Sequence, residues 1–423
     1  MPFKRHGRQY DLVVFGATGY TGQLTAEHIT THFPTDVKWA VAGRTESKLQ
    51  NVVDECRKLN SDRIQPAIEL ADVNSEESLR TLIDKTYVLI TTVGPYCIYG
   101  EKVFKICAES GTHYFDCTGE FPWVGRMIEK YEKTAQASGA LMFPQIGIES
   151  APPDLCTWAL AQHVRKNLGA LTRDVTVTIH ELKSAPSGGT LATLLSIFKY
   201  FSLGQIQAAA KPYAASPVRH EEKPDRPSSS FLQKVFGSRT VPDLGIVTTS
   251  IAHGTDASLV ERTWGLLSVT PSRKDEFYGP RFTWMEYFKA RSWLHGVAIH
   301  WGLLLGGFLI ACVPPVRSFI KMFIYQPGQG PEKDAMQKES VEYRGVARPD
   351  RETKNNERAF VTATYKGSMY YLTGLFLAQG ALTVLEDNTG LEGGIYTPAC
   401  LGQPFIDRAY KAGFKVDVKT LEG

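Results

Sequence analysis

The chain has 423 residues, 43% of them hydrophobic and 22% charged, with a formal net charge of +3. That length exceeds a single compact core and predicts two domains, and so mild a charge does not point to a nucleic-acid partner, so none is expected. Seven cysteines (Cys56, Cys97, Cys107, Cys117, Cys156, Cys312 and Cys400) are scattered without a CxxC pair or a cysteine–histidine cluster, which argues against a metal site or a disulfide framework and fits a reducing compartment.

Residues 1–10 are basic but lack the apolar run of a secretory signal. The apolar run Leu12-Val13-Val14-Phe15 then reads as a strand, and Gly16-Ala17-Thr18-Gly19-Tyr20-Thr21-Gly22 follows it directly and leads into a helix. A strand, a glycine turn and a helix in that order cradle a dinucleotide pyrophosphate: glycines bring the backbone close, and the helix N-terminus points its N–H groups at the negative charge. The spacing is not that of the commonest GxGxxG fingerprint, so the βαβ context, completed by a second strand at 37–42, carries the reading. That strand ends at Ala42-Gly43-Arg44-Thr45, where an NAD site would need a carboxylate for the ribose hydroxyls and an NADP site a cation for the 2′-phosphate. Arg44, with Thr45, Ser47 and Lys48 beside it, predicts NADP(H).

Further strands are predicted at 64–70, 88–93, 113–116 and 141–143, and helices at 22–33, 48–59, 75–85, 102–110 and 122–138. This alternation predicts an α/β fold with a Rossmann-type doubly wound parallel sheet over residues 1–150. Asp72, after the third strand, is placed for the adenine side of the cofactor, and Val93-Gly94-Pro95, after the fourth, for the nicotinamide ribose. Tyr96, Tyr99 and Glu120 are the catalytic candidates, because they follow strands at the carboxyl edge of the sheet where a proton donor must stand. Each also has a structural explanation: tyrosines fill loops, and Glu120 can begin the next helix. Asp116 shares that ambiguity.

After residue 150 the rhythm changes to a second α+β domain over 151–369. Ser150, at its entrance after the sixth strand, is a substrate-binding candidate, Asp154 reads as the N-cap of a helix through residue 163, and strands are expected at 175–182, 246–253, 261–269 and 358–366. Ser187-Gly188-Gly189-Thr190, before a helix-like 191–201, can bind a substrate's acidic group or carbonyl, or can be a close-packed helix start. The polar tracts 211–242 and 326–356 read as exposed loops. Within 297–324 an apolar run closed by Pro314-Pro315 and flanked by Lys289, Arg291, Arg317 and Lys321 fits an element lying in a lipid headgroup region, with a core helix or a membrane span as alternatives. A helix at 370–385, a glycine turn at 390–398, a helix at 403–412 and the terminal 414–420 make a segment, 370–423, expected to pack back on the first domain.

The motifs together, Phe15 to Gly22, Ala40-Val41-Ala42-Gly43-Arg44, Gly94-Pro95-Tyr96, Tyr99-Gly100, Asp116-Cys117-Thr118-Gly119-Glu120, Ser187-Gly188-Gly189-Thr190 and Gly393-Gly394-Ile395-Tyr396-Thr397-Pro398, resemble the saccharopine dehydrogenase-like oxidoreductases, within that group the eukaryotic saccharopine dehydrogenase-like oxidoreductase and the trans-acting enoyl reductases. The resemblance implies NADP(H), an oxidoreductase activity, and association with lipid droplets, membranes and glycolipid or polyketide-lipid synthesis. It supplies no catalytic residue, and Gly147-Ile148-Glu149-Ser150-Ala151-Pro152 carries glutamate where the family pattern has aspartate. The expected activity is reduction of a C=C bond in an apolar acyl or polyketide-like substrate, with the 297–324 segment on a lipid surface. The expected location is the cytoplasmic face of membranes or lipid droplets, with the mitochondrion as an alternative and a homodimer left open. Reduction of a C=N bond, or a non-catalytic nucleotide-binding role at lipid droplets, are the competing readings.

Overall fold

A computed structural model describes residues 3–184, 197–220, 230–313, 315–316 and 338–423. The first half alternates β1 (Tyr10–Phe15), α1 (Tyr20–His32), β2 (Trp39–Gly43), α2 (Glu46–Leu59), β3 (Ala67–Leu70), α3 (Glu76–Asp84), β4 (Thr86–Thr91), α4 (Tyr96–Ser110), β5 (His113–Asp116), α5 (Phe121–Ser138) and β6 (Leu141–Phe143). Every residue of β1 and β2 is buried, which is why their sequences run apolar without alternation: helices cover both faces of a parallel sheet. With β13 (Gly394–Ile395) at one edge, the strand order is β13-β6-β5-β4-β1-β2-β3. Order reverses between β1 and β4, and this switch point opens a crevice at the carboxyl edge.

From the end of β6, α6 (Ala151–Leu168) crosses to a second sheet built from β7 (Thr172–Lys183), β8 (Arg239–Val241), β9 (Gly245–Thr249), β10 (Thr283–Lys289), β11 (Ser340–Pro349), β12 (Arg358–Lys366) and β14 (Lys415–Leu421). Only β7 and β10 are parallel neighbours; the other pairs are antiparallel. Val175, Val177, Tyr343, Ala347, Val361 and Trp284 turn one face of this sheet into the core that α6 covers. At Gly345 an added Cβ would stand 3.1 Å from Leu160 of α6, so the helix sits close on the strand. Also in this half are α7 (Leu203–Ala209), α8 (Phe231–Phe236), α9 (His253–Val269) and α10 (Trp293–Cys312).

Several expectations are corrected. Residues 261–269 are the end of α9 rather than a strand; helix 253–269 is buried round most of its circumference, and an apolar run without a polar face has no period to read. The expected loop 326–356 contains β11, whose outward Glu342 and Arg344 pair with each other and disguise a strand as a polar tract. The 211–242 tract likewise holds α8 and β8. Asp154 lies inside the first turn of α6, which starts at Ala151 with Ser150 at the N-cap.

The C-terminal segment is divided between the two sheets. α11 (Met369–Glu386) packs on α1 and against β4 and β5, where an added Cβ on Gly374 would come within 2.9 Å of the Thr25 backbone. β13 (Gly394–Ile395) pairs with β6, whereas after α12 (Gly402–Lys411) the last strand, β14, pairs with β12 of the second sheet. The expectation that 370–423 returns to the first domain therefore fits α11 and β13 and not β14.

Asp154 ties these parts together. Its carboxyl accepts hydrogen bonds from the Thr263 hydroxyl at 2.6 Å and the Ala399 N–H at 2.9 Å. Burial lifts its pKa from 3.8 to about 7 against those two bonds. The folded state therefore holds this proton more tightly than the unfolded chain, and stability falls as pH rises from 3.8 toward about 7. Relative to Asp154→Asn, the wild-type protein is expected to lose ~4 kcal/mol across that window. Denaturant melts of both proteins over the pH series check this, and parallel curves would contradict it.

Candidate functional site

The switch-point crevice is where most of the sequence-predicted cofactor residues meet. Gly16 has φ +88°, and its N–H donates to the Ala42 carbonyl at 2.9 Å, which fixes the turn against the end of β2. A Cβ on Gly16 would stand 2.8 Å from Thr92 and Val93 side chains, so the turn also abuts the end of β4. Gly22 is the tightest position: its Cβ would lie 2.3 Å from the Gly16 carbonyl oxygen. Gly16, Ala17, Thr18 and Gly19 thus wrap directly over the start of α1, which runs on through Tyr20, Thr21 and Gly22. Gly19 is the N-cap and no side chain caps the helix, which leaves the helix terminus to an anion. Val93 and Gly94 lead into Pro95, the N-cap of α4.

Arg44, Thr45 and Lys48 are exposed just beyond β2, two residues from the carbonyl that holds Gly16. Arg44 makes no hydrogen bond or ion pair among the described residues, so its guanidinium is available to a phosphate. Gly43 accepts a hydrogen bond from the Ala71 N–H at 3.0 Å, which brings Asp72 to the same edge, but Asp72 already accepts from Asn74 through its backbone N–H at 2.9 Å and its side chain at 3.0 Å. Asp72 shapes this loop. A glycine cradle that a methyl group would fill, an uncapped helix and a free arginine fit a 2′-phosphorylated dinucleotide.

The three catalytic candidates gather at the start of α4, but two of them are committed to backbone partners. Tyr96 is not in a loop: α4 begins there, and its buried hydroxyl donates to the Thr91 carbonyl at 3.0 Å while receiving the Cys117 N–H at 3.4 Å. Burial raises its pKa well above 10. It pins β4 to β5. Glu120 is equally committed, since its two carboxylate oxygens accept the Tyr96 and Cys97 N–H groups at 2.9 Å each, serving as a remote cap for α4. Both residues are structural here. Tyr99 faces solvent in the first turn of α4, 39% exposed. Asp116 accepts the Tyr114 hydroxyl at 2.6 Å and the Thr118 and Gln145 N–H groups at 2.9 Å each, organising the loops after β5 and β6.

Across the crevice the second sheet contributes a group that the sequence reading missed. Glu286 of β10 and Asp256 in the first turn of α9 are each 1% exposed, and their carboxyls are within hydrogen-bonding reach of each other. Ser250, after β9, donates its hydroxyl to Glu286. Tyr343 of β11 shares their face of the sheet through the registers Glu286↔Val177 and Ile179↔Tyr343, and its hydroxyl reaches the Ile148 carbonyl at 3.5 Å. Glu149 and Asp154 add their fields to Asp256, so burial first and like charge second push that acid well above its usual range. The available sequence signal was a carboxylate in the otherwise apolar run Phe282 to Phe288. Ser150 is 1% exposed beside Glu149, and its hydroxyl has no partner among the described residues. Ser187, Gly188, Gly189 and Thr190 lie outside the described residues.

A cavity of about 1050 Å³ lies elsewhere, between α5, α9 and the loop before β13, with Arg126, Glu132, Arg262 and Tyr396 in its wall. None of the cofactor residues lines it, so it is not the nucleotide site.

Residues 12–142 match the saccharopine dehydrogenase NADP-binding domain. Over 98% of its length the chain is 29% identical to 98% of a Mycobacterium tuberculosis protein provisionally named a trans-acting enoyl reductase. The chain thus carries a saccharopine dehydrogenase NADP-binding domain. A trans-acting enoyl reductase of Mycobacterium ulcerans is 27% identical, covering 98% of this chain and 99% of its own. Apo saccharopine dehydrogenase (L-Glu forming) of Saccharomyces cerevisiae shares the fold, with a TM-score of 0.54 at 13% identity over 97% of this chain and 99% of that one. The protein is an NADP-dependent oxidoreductase, and the residues around Gly16, Gly22 and Arg44 are those that suit its cofactor.

Proposed function

We propose that the protein is an enoyl reductase that saturates a C=C bond in an apolar acyl or polyketide-type substrate while seated on the cytoplasmic face of a membrane or lipid droplet. Full-length similarity to proteins named trans-acting enoyl reductases supports the reaction type. When bound, NADPH supplies the hydride. The chain's own part is to hold the phosphates on α1 and Arg44 and to keep the reacting carbon between the two sheets.

The observation that carries the lipid reading is α10. Only 11% of the apolar window Trp293–Ile310 is buried, and Leu294 is 73% exposed, with Leu304, Leu305, Phe308 and Leu309 also facing outward. Phe236 of α8 meets the Trp293 ring at 5.1 Å, and the same short helix exposes Phe231 and Leu232, so two helices present one apolar platform. The first half of α10 is docked on the protein: His300 bonds Thr249 at 2.7 Å, and the Thr248 hydroxyl bonds the Gly296 carbonyl at 2.7 Å. A helix so anchored favours lying in the interface over spanning it. Residues 317–324 of the expected lipid segment lie outside the described residues.

Phe308→Glu with Leu304→Glu removes two side chains each worth ~2 kcal/mol when buried in lipid. Liposome flotation of the double variant is expected to fall at least ~100-fold, with an unchanged thermal melt. Oxidation of NADPH with a medium-chain trans-2-enoyl thioester tests the chemistry; flotation equal to wild type ends the lipid reading, and absence of turnover ends the enoyl reading.

A further inference from the structure

Asp256 Oδ1 and Glu286 Oε2 are buried, and neither has a hydrogen-bond donor among the described residues. Their two carboxyls nevertheless lie against each other. Two ionised carboxylates cannot occupy that position, because each offers only acceptors and each repels the other; one proton between them satisfies both oxygens and leaves a single negative charge. Two features suit that remaining charge. Ser250 donates its hydroxyl to Glu286, and Asp256 lies in the first turn of α9, at the positive end of that helix. The groups facing the pair from neighbouring elements are Glu149 before α6, Asp154 on α6 and Tyr343 on β11. Among the described residues none of these three is a cation.

Tyr343 links this pair to the crevice. Its ring rises from the same face of the second sheet as Glu286, and its hydroxyl ends at the Ile148 carbonyl, in the loop that follows β6 at the carboxyl edge of the first sheet. Tyr96 and Glu120 hold their backbone partners at 2.9–3.0 Å, more tightly than the 3.5 Å bond of Tyr343. We propose that Asp256 and Glu286 share one proton at the floor of the cleft between the two sheets, and that this pair and Tyr343 are the proton source for the reduction. The inference rests on the enoyl reading for the acceptor. Hydride arrives at one alkene carbon, the C=C electron pair moves to its neighbour, and the Tyr343 O–H bond breaks to deliver a proton there. The shared proton then restores the Tyr343 hydroxyl, and water reprotonates the pair after product leaves.

The first test needs no substrate. In the full chain labelled with ¹³C at aspartate and glutamate carboxyls, one neutral carboxyl signal is expected to persist at about pH 9, where Asp154 has already ionised, and to vanish in both Glu286→Gln and Asp256→Asn. Its absence from wild type, or its survival in both variants, overturns the shared proton whatever the protein reduces. In single turnovers with NADPH and a trans-2-decenoyl thioester, Tyr343→Phe is expected to slow reduction ~100-fold with NADPH affinity unchanged. Wild-type rates in Tyr343→Phe overturn the proton-source role. A wild-type protein that binds NADPH, shows the neutral carboxyl and leaves the thioester untouched refutes the enoyl reading and spares the pair.

Discussion

Gly22→Ala is expected to weaken NADPH binding at least ~100-fold, since displaced phosphate contacts are worth ~1.5–3 kcal/mol each. The added methyl would stand 2.3 Å from the Gly16 carbonyl oxygen and 2.8 Å from the Ala17 Cα, both backbone atoms. No side-chain rotation relieves that contact. Either the turn opens or α1 shifts, and both movements pull the helix N-terminus away from the pyrophosphate. The second sheet is remote from this contact, so its folding should persist, and a calorimetric titration alongside a circular-dichroism melt separates lost binding from lost structure. Wild-type affinity in a folded Gly22→Ala protein would mean that the cofactor does not use this turn.

Arg44→Ala is expected to cost NADPH ~2–3 kcal/mol, or ~30–150-fold in affinity, with NADH binding nearly unchanged. The arginine is exposed and unpaired among the described residues, so removing it breaks no internal contact and the whole effect should fall on the 2′-phosphate. Arg44→Asp should go further, because a carboxylate repels that phosphate and accepts the ribose hydroxyls of NADH. Titration of both variants with both nucleotides decides it. Equal losses for NADPH and NADH would move the 2′-phosphate contact elsewhere in the crevice.

The parallel sheet was legible because its strands are buried on both faces: Leu12 to Phe15 runs apolar without alternation, and 113–116 and 141–143 match the observed strands. β12 was legible for the opposite reason, since Ala359, Val361, Ala363 and Tyr365 alternate with partly exposed residues. The start of α4 was hidden because its cap, Glu120, lies 24 residues away from Tyr96, beyond any local pattern. The same holds for the pair of acids: Asp256 belongs to a helix and Glu286 to a strand, and only the packing of α9 on β10 brings them together. The glycine turn and Arg44 were readable because a nucleotide site is built from consecutive residues, whereas the opposing wall is assembled from four separate elements.

The divided C-terminal segment has a consequence for how the chain comes to be folded. The face of the first sheet over β4 and β5 waits for α11, and the edge of the second waits for β14. During synthesis both halves therefore leave the ribosome incomplete, with the apolar surface that α11 will cover still wet. Because α11 and β14 follow the rest of both sheets in the chain, the two halves mature together rather than in succession.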